Sequence, residues 1–163
     1  MKNNRSMKRR GFTLVELLIV IVVIGVLSAM MMLSSTEAVS SAKASNIISN
    51  LRNLKTAALS LYTASLDKVN GAKPTIGAVQ RYLNNETLDA NVYNIVFKGA
   101  SNNNYDAAEW YVTCSVTDSN VKTKLASRAG SVGLLAGGSS ITTDLSSNPA
   151  EYNKEAVVCM RVR

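Results

Sequence analysis

Twenty consecutive residues without a charge, Leu17 to Thr36, follow a basic cluster of Lys8, Arg9 and Arg10 and the segment Gly11-Phe12-Thr13-Leu14-Val15-Glu16. Ile19 to Ile24 alone is β-branched enough to form a buried strand, but the whole apolar run is too long for one. Phe12 to Leu33 supplies the roughly 20 residues with which a helix crosses about 30 Å of hydrocarbon. The run therefore predicts a membrane helix over 12–33.

The order of parts differs from an ordinary secretory signal, in which the small-residue cleavage site follows the apolar core. Here the small residue, Gly11, precedes it. A cut between Gly11 and Phe12 removes a basic leader, residues 1–11, and leaves the anchor on the mature chain. Lys2, Arg5, Lys8, Arg9 and Arg10 hold their flank in the cytoplasm and direct the rest outward.

Glu16 stands out, since a charge at mid-bilayer costs on the order of 2.5–3.5 kcal/mol. The Leu, Ile and Val residues between Leu17 and Leu33 contribute roughly 0.3–0.6 kcal/mol each, so insertion still prevails. One reading lets Glu16 reach water near the headgroups. A sharper one pairs it with the amine that cleavage creates on Phe12, because an amine and a carboxylate attract strongly in low dielectric. If that amine belongs to a neighbouring copy, the pair sets an axial register for stacked subunits.

Gly11-Phe12-Thr13-Leu14-Val15-Glu16-Leu17 followed by an apolar helix resembles the processing and assembly motif of type IV pilins and type II secretion pseudopilins. The resemblance covers about residues 6–60. It implies cleavage after Gly11 and N-methylation of Phe12 by a prepilin peptidase, then polymerisation of copies of the chain with Glu16 as the assembly contact. It further implies residence in the bacterial inner membrane, transfer through an inner-membrane assembly platform with other pilins, and a cell-surface pilus used for adhesion, motility or DNA uptake. Many members carry proline at the position of Leu33, where the helix melts in the filament; that break is missing here, and Gly25 is the remaining weak point.

The formal charge of +7 misleads. Five of the 18 Lys and Arg lie in the leader and all 11 Asp and Glu lie after it, leaving 13 against 11, a mature charge of +2. That is a weak field for phosphates. Trp110, Tyr111, Tyr105 and Lys98 are close in sequence, but alternation through Trp110 to Val116 turns several of them inward, so direct DNA binding is not expected.

Ile47, Leu51, Leu54, Ala58 and Leu61 recur at helical spacing. With no glycine or proline from Leu27 to Asn70, the pattern predicts one helix from about Phe12 to Asp67, its second part, 34–67, amphipathic. Asn70-Gly71-Ala72-Lys73-Pro74 ends it. In the head, 68–163, Thr75 caps a short helix through Asn84 that buries Ile76, Val79, Tyr82 and Leu83. Val92–Lys98 and Glu109–Val116 form a hairpin, and Asp118 caps a helix through Ser127. Ile141–Leu145 and Ala156–Val162 are further strands. Gly130–Ser140 reads as a mobile surface loop. The expected fold is α+β, a long helix on a small antiparallel sheet.

Cys114 and Cys159 lie in two strand candidates. Two free buried thiols are one reading; the outward topology places both in an oxidising compartment, where an even count favours a disulfide. The resemblance makes 114–159 the disulfide-bounded C-terminal region of a pilin. The chain has no histidine, no phosphate loop and no metal-ligand spacing, so no cofactor, metal or catalytic residue is expected and the chain is read as a non-enzyme. A pseudopilin and a membrane-tethered periplasmic enzyme or receptor are the alternatives. Asn85-Glu86-Thr87 fits the glycosylation pattern by coincidence of composition.

Overall fold

The computed structural model describes residues 11–64, 73–83, 88–100, 105, 107–138, 140–145 and 147–163, with only the backbone at 33 and 34. The leader up to Arg10, the helix break at 70–72 and the Asn85 sequon lie outside the described residues. The chain divides into two units, one ending at Ala38 and one running from Val39 to Arg163.

In the first unit, α1 (Leu14–Ala64) begins, and its backbone is helical through Gly25 and Leu33. Residues 14–33 cover roughly 30 Å at about 1.5 Å per residue, which matches a hydrocarbon core. All side chains from Gly11 to Met32 are exposed.

In the second unit, the remainder of α1 packs on a four-stranded antiparallel sheet, β1 (Tyr93–Lys98), β2 (Glu109–Ser115), β3 (Leu134–Ala136) and β4 (Val157–Arg161), in the order β1-β2-β4-β3. Three short helices complete it: α2 (Ile76–Gln80), α3 (Ser119–Ala126) and α4 (Ala129–Val132). The helical stripe is Ser40, Ala44, Ile48, Leu51, Leu54, Ala57 and Ala58. It starts about two turns earlier than the sequence spacing indicates and passes through Ile48, leaving Ile47 and Leu61 half-buried at its margin. Against it lie Ile95, Phe97, Trp110, Val112, Cys114, Val158 and Met160. Trp110 sits edge-on to Tyr62 and Phe97 with ring centroids 5.4 Å apart in each pair, and its indole N–H donates to the Tyr105 carbonyl at 2.7 Å. That bond satisfies the one polar atom that burial of the ring would otherwise strand.

The β1–β2 hairpin and the Asp118-capped helix form as the sequence predicts: Tyr93 pairs with Cys114, and the Asp118 carboxylate accepts from the Asn120 and Val121 amides. Thr75 likewise caps α2 through the Ala78 amide, but that helix ends at Gln80, and Tyr82 is exposed.

Two expectations are corrected. The first part of Gly130–Ser140, up to Ala136, is not a loop: after α4, Gly133 takes φ +74° and turns the chain into β3, whose Leu134 pairs with Met160 of β4. Only glycine adopts that backbone at little cost. Ile141–Leu145, in turn, is not a strand. Asp144 fastens it in a turn by accepting from the Phe97 amide at 3.1 Å and from Lys73 Nζ at 2.8 Å, and Leu145 makes a single bridge beside Lys98. This segment covers the sheet face opposite α1, where Val96, Tyr111 and Cys159 pack with Leu135 and Leu145. The sheet is consequently buried on both faces.

Candidate functional site

The N-terminal segment carries the first candidate site. Thr13 precedes the helix and Glu16 closes its first turn. The Glu16 amide donates to Thr13 Oγ1 at 3.2 Å, while Glu16 Oε2 accepts from the Thr13 amide at 3.0 Å and from the Thr13 hydroxyl at 2.8 Å. This is a reciprocal capping box, in which side chain and backbone satisfy each other's unpaired donors at a helix start. The carboxylate also sits at the positive end of the helix dipole. Among the described residues Glu16 Oε1 has no hydrogen-bond partner, so one oxygen holds the cap and the other can accept from an incoming cation.

Phe12 is 78% exposed, and beyond Gly11 and its two chain neighbours no atom lies within 4 Å of where a Gly11 side chain would begin. The peptide between them is open to an enzyme. Thr13 is the participant that motif reasoning about Gly11, Phe12 and Glu16 passes over; the Thr-x-x-Glu spacing ahead of an apolar run is its signal in the sequence.

The cysteine pair is a correction. Both thiols are free and buried. In the register of β2 against β4, Cys114 faces Val158 and Cys159 faces Thr113. Residues directly opposite share a face and neighbours along a strand alternate, so Cys114 points to the α1 side and Cys159 to the other. No rotamer joins sulfurs across a sheet. Burial raises both thiols to about 12, with a Tyr93 hydrogen bond opposing the rise at Cys114.

The aromatic cluster tested as a nucleic-acid site is core: Trp110, Tyr111 and Tyr105 are all buried. Lys98 lies 3.3 Å from Glu109, which also meets Arg161 at 3.2 Å and receives the Tyr111 hydroxyl at 2.6 Å. That hydroxyl and the two cations hold the Glu109 carboxyl below the usual range, and burial, with Glu109 adding to it, pushes Tyr111 up to about 12. The network ties Lys98 and Arg161 to the Glu109 carboxylate, and the three aromatic rings are packed in the core rather than presented for stacking. Among the described residues no three His, Cys, Asp or Glu side chains gather into a metal-binding group.

The family model for the prokaryotic N-terminal methylation motif matches residues 6–32. No curated protein and no solved structure matches the chain.

Proposed function

We propose, from a chain that carries the N-terminal methylation motif, that it is a structural subunit of a type IV pilus, cut after Gly11 and N-methylated on Phe12 by a prepilin peptidase. The motif supports a protein of the type IV pilin or pseudopilin class, with prepilin peptidase and other pilins as its partners. Before assembly the subunit is held in the bacterial inner membrane by residues 12–33, its N-terminal side cytoplasmic; afterwards the same helices form the core of a surface filament.

One observation carries this reading: a fully exposed apolar helical surface whose sole carboxylate, Glu16, sits one turn from the new N-terminus with an oxygen to spare. Such a surface needs lipid or copies of itself around it. The Phe12 amine of a neighbour supplies the cation that a carboxylate in that surroundings requires.

The unbridged cysteines remove one feature that set a pilin apart from a type II secretion pseudopilin, which is therefore the second reading. Shearing expressing cells and sequencing the filament subunits by mass spectrometry tests both. Filaments composed mainly of this chain beginning at methylated Phe12 support the pilus. Processed chain that stays with the envelope overturns it in favour of the pseudopilin, and an uncut chain overturns both.

A further inference from the structure

An open groove of about 340 Å³ lies in the second unit between α1 and the corner joining α3 to α4, lined by Ser45, Ile48, Ser49, Arg52, Asn53, Arg128 and Val132. Two guanidiniums line it and no carboxylate does. Arg128 is held rigid by its fork: Nη1 donates to Ser45 Oγ and Nη2 to Ser41 Oγ, each at 2.8 Å. Ser45 Oγ donates onward to the Ser41 carbonyl, one turn back along α1. Both partners of this half-buried cation are neutral, so its charge is uncompensated while its position is fixed. Arg52 is exposed, and its guanidinium has no hydrogen bond or ion pair with any described residue.

Four cations elsewhere in this unit, Lys43, Lys73, Lys98 and Arg161, each meet a carboxylate, whereas the two guanidiniums lining the groove meet none among the described residues. A preorganised guanidinium beside a free one, with hydroxyl and amide groups around an apolar floor of Ile48 and Val132, is complementary to a planar or tetrahedral oxyanion. The volume falls in the range of small-ligand sites.

We propose that this groove binds an oxyanion, a carboxylate or a phosphate group borne by a small molecule, with Arg128 and Arg52 clasping the anion and Ser49 and Asn53 completing its hydrogen bonds. The site is independent of the filament reading.

The test uses the full processed chain in detergent micelles, with the Arg side-chain Nε–H signals followed by NMR during titration with sodium phosphate, glucose 6-phosphate and glucuronate, against sodium chloride at matched ionic strength. Saturable movement of the Arg52 and Arg128 signals by at least one of the three is expected. Arg52→Gln is expected to weaken that binding about tenfold or more, the usual scale for losing a charge-assisted contact, with an unchanged thermal midpoint because Arg52 holds nothing in place. Tighter binding of glucuronate assigns a carboxylate ligand; tighter binding of glucose 6-phosphate assigns a phosphate. Responses that track ionic strength alone, or binding that Arg52→Gln leaves intact, overturn the proposal.

Discussion

Glu16 caps its helix, and a single substitution can separate that task from the assembly contact proposed for it. Glu16→Gln keeps an acceptor oxygen for the Thr13 amide and hydroxyl but removes the charge. If assembly depends on the charge, the variant inserts and is processed as usual while filament numbers fall at least tenfold by electron microscopy; wild-type numbers would show that the cap is all Glu16 provides. Gly137 shows how a single missing atom constrains the head. Its amide donates to the Val157 carbonyl at 2.8 Å, and a side chain there would start 2.3 Å from Val157 Cγ1. Gly137→Ala therefore forces β4 or the crossing segment to move. We expect a loss of about 1–3 kcal/mol, the range for overpacking, read from urea denaturation.

At the scale of elements, α1 and the β1–β2 hairpin were legible because each announces itself locally: one by apolar residues three and four apart, the other by two apolar runs around a polar turn. The register of the stripe was less so, since Ile47 and Ile48 are equally apolar and only contact with the sheet selects Ile48. β3 escaped notice because its three residues lie between glycines, and a strand that short is stabilised by its partner β4 rather than by its own propensity. Period-two alternation also fails in β2, where Trp110 to Cys114 are all buried, because the segment through Ile141 and Leu145 covers the face that alternation assigns to water. The placement of the cysteines was hidden for the same reason, since it depends on pairing register. Leu54, fully buried where α1 meets the head core, tests the helix–sheet contact. Leu54→Ala is expected to cost about 2–5 kcal/mol in denaturation, with membrane insertion unchanged.

For the molecule as a whole, buried acids set the response to pH. Cys114 and Cys159 rise to about 12 on folding, as do Tyr93, Tyr111 and Tyr152, in each case chiefly by desolvation. A group that holds its proton more tightly when folded stabilises fully below its unfolded pKa and loses that contribution as pH rises towards the folded value. Unfolding midpoints should thus be insensitive to these groups below about pH 8, near the unfolded thiol value, and fall between there and about 12. Cys159→Ala should flatten that fall, by up to about 1.4 kcal/mol per pH unit over the range in which only the unfolded thiol is ionised. An unchanged slope in the variant would contradict the assignment.

The opposed placement of the two thiols reaches beyond stability to how the cell makes this protein. A head closed by hydrogen bonds and packing alone has no covalent step to complete as it folds, and no wrong pairing to repair. Its folding should be indifferent to disulfide-forming enzymes, so that cells lacking them, or grown with a membrane-permeant reductant, produce the protein in undiminished amount.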